Sequence, residues 1–390
     1  MTSPRVETET IEQTRQRETA RTGRTRSARS NKILSSILVN GTLTLIALLW
    51  MIPVIGVLVS SFRNRFDIQT TAWWRIFPHR EWVQTTTINP RDLGLDPTGP
   101  MTVEGITATF EEMRQGVQEG GRRVIWVGNR RIGNIQVQEQ RWVTNTNFTL
   151  DNYRQVLLGR SMQVRQPDGS SQTVRGDDFS GAFLNSLAIS IPSTVIPVLI
   201  AAFAAYGFAW MRFPGRRVMF ILVVALLVVP LQVALVPLLR DFAGWRINGT
   251  FLAMWLAHTG FGLPLATYIL FNYIRTLPRE TLESAFIDGA SHFTVFTRLI
   301  LPLSVPALAS FAIFQFLWVW NDYLVALIFL GGNPDYLIVT MRLANIVGDR
   351  GQDWHLLTAG AFVSMVMPLI VFFALQRYFV RGLLAGSVKG

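Results

Sequence analysis

The sequence predicts an all-α membrane protein with six transmembrane helices and a small β-containing insert between the first two. Three observations point there. The chain has 390 residues, 49% hydrophobic and only 16% charged, against roughly 25% charge in an ordinary soluble domain. Mean hydropathy is +0.30. Six charge-free windows, each long enough for the roughly 20 residues that cross a bilayer core, divide the sequence: 33–62, 179–211, 218–239, 247–274, 299–321 and 354–376. Prolines fall in or beside these windows, which favours a packed bundle whose neighbours cover the broken backbone. The domain reading follows: a basic tail at 1–32, a first span at 33–62, an extracytoplasmic insert and surface helix at 63–182, a helical core at 183–378, and a C-terminal tail at 379–390.

Composition also excludes functions. There is no cysteine, hence no disulfide and no thiolate chemistry. Lysine occurs only at Lys32 and Lys389, so the chain has no Gly-Lys-Ser/Thr loop for nucleotide phosphates. The net charge of +11 first admits a nucleic-acid partner, but its distribution removes that reading. The 1–32 tail carries eight basic and four acidic residues. Arg212, Arg216 and Arg217 follow span two, and Arg377, Arg381 and Lys389 end the chain. Six spans put all three clusters on one side, and the positive-inside rule makes it cytoplasmic, with both termini there. The tail's composition predicts disorder and contact with lipid headgroups. The polar tail and the length of the first span argue against a cleavable signal peptide.

The 63–182 segment holds 15 Arg and 13 acidic residues. Trp73 and Trp74 read as interface anchors. β-Branched residues around Gly128-Asn129 and Gly133-Asn134 predict short strands and turns. Phe148–Leu158 predicts a surface helix capped by Thr149, with Leu150, Tyr153, Val156 and Leu157 on its apolar face.

The segment 273–302, between spans four and five, carries the most information. Pro278 suits a first helical turn. Ala285 and Gly289, four apart, share a face. Gly289 and Ser291 predict a turn and a second helix start, Phe293, Phe296 and Leu299 an apolar stripe, and Pro302 the entry to span five. This is a helix–turn–helix offering a close-approach surface; the plainer alternative is an amphipathic connector. Among polar residues in the spans, Asn185, Gln232, His258 and Gln315 read first as interhelical hydrogen bonds. The Trp318-Val-Trp320-Asn321-Asp322 run places an aromatic platform, an amide and a carboxylate near a membrane face. Its acid serves either as a structural tie or as a lining of a polar path.

With these residues the segment resembles the coupling motif of binding-protein-dependent ABC importer permeases. Glu283, Ala285, Gly289, Leu301 and Pro302 match at the family spacing, with Ser284 for the middle alanine and Leu299 for the isoleucine. Leu150-Asp-Asn-Tyr153, Phe183-Leu-Asn-Ser186, Ala204-Ala-Tyr-Gly-Phe-Ala209, Arg212-Phe-Pro-Gly215, Trp320-Asn-Asp322 and the 376–390 tail resemble the carbohydrate branch, the smaller maltose-type permease and within it the alpha-glucoside permeases. The resemblance covers span one and the chain from about Phe148 onward.

The resemblance implies the type I importer permease fold in a bacterial cytoplasmic (inner) membrane and uptake of a sugar of alpha-glucoside or maltose type. The implied partners are a second homologous permease, two cytosolic ATPase subunits that bind ATP and Mg, and an extracytoplasmic sugar-binding protein. No cofactor or metal is expected on this chain. The implied ATPase contact is Glu283, Ser284, Ala285, Asp288, Gly289, Leu301 and Pro302. A translocation path or permease interface would use Asn185, Gln232, Trp318, Asn321 and Asp322. The loop 331–355, with Asn333, Asp335, Asn345 and Gly351, would reach the binding protein, and Val388, Lys389 and Gly390 either reach the ATPase pair or fray. The alternatives are an importer for another solute class, or a secondary transporter, which would show repeats or a coupling-ion site. An enzyme is disfavoured: the four histidines are scattered, without His-Glu-x-x-His or Gly-x-Ser-x-Gly.

Overall fold

The computed structural model describes the backbone of residues 5–159, 161–165, 171–175, 179–350 and 353–385, and the side chains of 32, 34–159, 179–346 and 353–378. It divides into two units, Met1–Val59 and Ser60–Gly390. The first is the body of helix α1 (Arg5–Ser61), whose apolar stretch Leu34–Ser61 is long enough to cross a membrane. The tail read as disordered is helical from Arg5. Its Glu, Arg and Gln are good helix formers, and no proline interrupts it between Arg5 and the span.

The second unit begins with the insert. Strands β1 (His79–Ile88), β4 (Val117–Glu119), β5 (Arg122–Val127) and β6 (Asn134–Val143) form an antiparallel sheet in the order β1-β6-β5-β4. A small hairpin of β2 (Met101–Val103) and β3 (Ile106–Ala108) joins it through a common core. Val124 and Trp126 on β5 and Ile135 and Val137 on β6 alternate inward and meet Met101, Phe110 and Met113, the period-2 pattern of a half-buried sheet. The short helix Phe110–Gln115 starts in a capping box of Thr109 and Glu112. A further hairpin, β7 (Ser161–Arg165) with β8 (Ser171–Arg175), was not foreseen from the sequence.

Helix α2 (Asp151–Leu158) sits where the sequence places it, with half of the expected apolar face inward: Val156 is buried and Tyr153 packs in the same cluster. Leu150 and Leu157 are exposed, and Asn152 and Val156 are buried. Asn152 Nδ2 donates to the carbonyls of Ser61 and Arg63, each at 2.8 Å. This satisfies main-chain acceptors at the end of α1 and draws the polar residue inside. Thr149 Oγ1 accepts from Asp151 N–H at 3.1 Å, one turn-like bond at the helix entry.

The helical core contains α3 (Phe179–Trp210), α4 (Arg216–Ala225), α5 (Leu231–Gly244), α6 (Phe251–Ile274), α7 (Arg279–Ile287), α8 (His292–Val295, continuing through Phe296–Ile300 to Leu303), α9 (Val305–Trp320), α10 (Leu324–Leu330), α11 (Val339–Arg350) and α12 (Trp354–Ala385). At its centre, Ala201, Ala202 and Ala205 of α3 meet Ala266 and Leu270 of α6; small residues let the two backbones approach. Trp255 Nε1 ties α6 to α3 through the Ala188 carbonyl at 3.0 Å.

Spans three and five, expected as single helices, are broken. Among the described residues four helices are long and apolar enough to cross a membrane, and the count reaches six if each of two bent pairs is one span. Residues 216–228 and 231–244 bend by 103°, and 292–303 and 305–320 by 70°. At the first break Val229 is extended, as a residue before proline prefers. At the second, Pro302 and Pro306 lack the N–H groups that Arg298 and Pro302 carbonyls would otherwise receive. Phe296–Ile300 widens into a π turn just before the bend.

Candidate functional site

The 273–302 segment folds as two short helices around a glycine. Pro278 caps α7 from outside its first turn, and buried Leu282 anchors it. The helix ends in a Schellman closure: Ala290 N–H donates to Ala285 O at 3.0 Å, and Gly289 N–H to Phe286 O at 3.0 Å. Gly289 has φ +81°, a backbone state that costs an L-residue about 1–2 kcal/mol. A Cβ there would meet nothing of this chain within 4 Å. Ser291 then caps α8, its Oγ accepting from Thr294 N–H at 3.2 Å.

Glu283, Ser284, Asp288 and Gly289 are exposed. Ala285 is half-buried against the bundle rather than fully presented, Leu301 is half-buried and Pro302 exposed. The anticipated Phe293–Phe296–Leu299 stripe splits: Phe296 is 2% exposed and Phe293 68%. Ile287, 86% exposed, escaped the sequence reading. The turn therefore offers an apolar pair, Ile287 and Phe293, beside the acidic side chains of Glu283 and Asp288. Two aliphatic or aromatic residues flanking a Gly turn, with no buried role in the helical pattern, were the available signal.

The inner side of the segment is locked to α3. Tyr206 OH shares a 2.8 Å hydrogen bond with His292 Nδ1. The His292 ring lies 4.9 Å from Phe286, and Phe296 stacks on Phe203 at 4.2 Å. Tyr206 and His292 were not singled out for this from sequence, since 86 residues separate them.

The other candidates do not form one path. Asn185 Nδ2 donates to the carbonyls of Asp335 and Leu337 at 2.8 and 3.0 Å, and Ser186 Oγ accepts from Val339 N–H at 2.9 Å. The structure thus joins Asn185 to the loop of Asn333 and Asp335. Asn333 Oδ1 accepts from Asp335 N–H at 3.1 Å, and both side chains are exposed. Gln232 is exposed on α5 and makes no interhelical hydrogen bond among the described residues. Asn321 is exposed and returns its amide to Leu317 O of its own helix at 2.8 Å. Asp322 Oδ2 lies 3.4 Å from buried His258 Nε2. Trp318 stands edge-on to that imidazole at 5.5 Å and lines a cavity of about 480 Å³ with Phe242, Trp245 and Phe261. Gln315 is the expected interhelical donor, reaching Ser193 O and His258 O at 3.2 and 3.1 Å. Asn345 is exposed on α11. Gly351, Val388, Lys389 and Gly390 lie outside the described residues. Among the described residues no three His, Asp or Glu side chains gather as a metal set.

With this arrangement in view, comparison with known proteins is decisive. Residues 197–384 match the family described as binding-protein-dependent transport system inner membrane component. The osmoprotective compounds uptake permease protein GgtD of Synechocystis is 47% identical over 344 residues, 88% of this chain and 89% of its own. The chain belongs to this family. The permease is also 45% identical to the alpha-glucoside transport system permease protein AglG of Rhizobium meliloti, over 89% of this chain and 95% of that one. These matches set it in the carbohydrate-uptake branch, as a multi-pass membrane subunit of an ABC importer whose ATPases are separate chains. A solved ABC transporter that imports alginate aligns with 52% of the permease and 75% of its own chain, at 18% identity and a TM-score of 0.45, too distant to add detail.

Proposed function

We propose that the permease imports an alpha-glucoside or maltose-like oligosaccharide. It would pair with a second homologous permease, take sugar from an extracytoplasmic binding protein, and be driven by ATP and Mg on two cytosolic ATPase subunits. Both termini and the 273–302 segment face the cytoplasm in this reading, in keeping with the arginine distribution. The observation that carries it is the glycine turn between α7 and α8, with exposed Ile287 and Phe293 beside Glu283 and Asp288. The apolar pair supplies burial, the acids orientation, and Gly289 the close approach. Locking through Tyr206 and His292 lets motion of the docked turn pass into α3 as a rigid-body shift. Leu301 and Pro302 set the exit angle into α9. The loop carrying Asn333, Asp335 and Asn345, and Gly351 beyond it, is assigned to the binding protein, and Val388, Lys389 and Gly390 to the ATPase pair. Trp318 and Asp322 line or brace the path; Gln232 and Asn321, exposed here, suit the second permease. The sugar class rests on likeness to AglG.

The test is uptake by the reconstituted importer. Glu283→Ala with Ala285→Leu should abolish uptake and weaken ATPase capture while the protein stays in the membrane; normal transport would refute the docking role. Uptake of labelled maltose, sucrose, trehalose and palatinose tests the substrate class, and accumulation of none of them would overturn it.

A further inference from the structure

The 321–340 segment is held to the bundle by an unusual set of polar ties. It leaves α9 at Asn321, forms α10, turns at Gly331 with φ +68°, crosses the exposed Asn333-Pro334-Asp335 apex and returns as α11. Asp322 is the hub. Its Oδ2 faces His258 Nε2 of α6 at 3.4 Å. Its Oδ1 accepts from Val325 N–H at the start of α10 at 3.4 Å, and its carbonyl accepts from Thr340 Oγ1 of α11 at 2.8 Å. Asn185 and Ser186 grip the other foot of the loop from α3.

The burial makes this set informative. His258 is 0% exposed and the Asp322 side chain 10%. An ionisable pair taken out of water is no more stabilising than an apolar pair of the same volume, because desolvation offsets the attraction. What the pair provides is direction: one carboxyl group and its carbonyl set α6, α10 and α11 relative to one another. Neither His258 nitrogen nor Asp322 Oδ2 has a hydrogen-bond partner among the described residues, so each of these buried side chains is left to the other.

We propose that His258, Asp322 and Thr340 are positioning residues for the binding protein: their clamp holds the 333–338 apex in the shape that the binding protein meets. This rests on the reading of that loop as the docking contact. The experiment uses the complete importer in nanodiscs and follows ATP hydrolysis against the concentration of binding protein loaded with maltose, sucrose or trehalose, whichever it retains. Asp322→Asn, His258→Gln and Thr340→Val should each raise the half-saturating concentration about fivefold or more, the scale of a typical coupling between sites. For His258→Gln and Thr340→Val, which the path does not use, the maximal rate per assembled complex should recover at high binding protein. The His258→Gln, Asp322→Asn double variant should be no worse than the poorer single one, as expected of one interaction. If Asp322→Asn fails to assemble, Thr340→Val decides, since it removes only a hydroxyl. Asp335→Lys tests the loop itself. A shift with Asp335→Lys but none with the clamp variants overturns the clamp and leaves the docking reading standing. No shift with Asp335→Lys overturns both. A lowered maximal rate at unchanged half-saturation makes the clamp a structural brace and refutes the proposal.

Discussion

Replacing Gly289 with alanine and then leucine separates backbone strain from contact with a partner. Alanine must adopt φ +81°, at a cost of about 1–2 kcal/mol. The two turn-closing hydrogen bonds use backbone groups that alanine keeps. A new Cβ meets nothing of this chain within 4 Å, so leucine should add little further strain to the free permease. Both variants should therefore lower the thermal midpoint by a similar, small amount. That strain is present whether or not an ATPase is docked, so by itself it leaves affinity unchanged. If the ATPase surface packs on the turn, side-chain volume intrudes there, and overpacking costs typically about 1–3 kcal/mol. The leucine variant should then bind the ATPase about ten- to a hundredfold more weakly than the alanine variant, at about 1.4 kcal/mol per factor of ten. The assay is equilibrium capture of the ATPase by the solubilised permease pair, with uptake measured alongside. Equal affinities for alanine and leucine would refute close approach at Gly289.

Three further expectations are independent of that one. Tyr206→Phe removes the hydroxyl shared with His292 Nδ1; it should cost about 1 kcal/mol in stability and lower sugar moved per ATP hydrolysed, and an unchanged ratio would detach this bond from coupling. Asn152→Ala removes two buried bonds to Ser61 O and Arg63 O. It should destabilise the permease by about 2–3 kcal/mol on thermal unfolding, whereas the exposed Leu150→Ala should be near neutral. In the insert, hydrogen bonds from Thr109 hold the Glu112 carboxyl below its ordinary value of 4.5. Because the folded value is the lower one, this contribution is complete above that ordinary value and is lost as pH falls through the folded value. Amide exchange across residues 110–116 should accelerate in that acid window; Thr109→Ala, which keeps the backbone N–H bond to Glu112, should weaken the pH dependence and Glu112→Gln should remove it.

Much of the 273–302 segment was legible because its determinants are local. Gly289 supplies the positive φ, Ser291 the next cap, and Pro302 the missing donor before the bend, all within reach of their neighbours. What the sequence could not assign was the direction of the side chains. Phe293 and Phe296 are three apart and look alike, yet one is exposed and one buried, because Phe203 and Tyr206 of α3 cover only the second. On α2 the expected apolar face is only half turned in: Val156 is buried with Tyr153 packed in the same cluster, while Asn152, which satisfies two carbonyls, is buried and Leu150 and Leu157 are left exposed. Asn185, read first as a hydrogen bond between helices, ties α3 to a loop 150 residues away, a partner that no local pattern names.

The sequence by itself determined that this chain is a membrane bundle, where its apolar segments and insert lie, and that a glycine turn divides the 273–302 segment. Those features follow from hydropathy, charge distribution and the φ preferences of glycine and proline, which act over a few residues. Only the tertiary structure decided that two spans are bent pairs, that Ile287 and Phe293 stand out from the turn, and that Asp322 faces His258. Each of these depends on which distant helix fills the adjacent space, and a buried polar group takes its partner from whatever packing brings within hydrogen-bond reach.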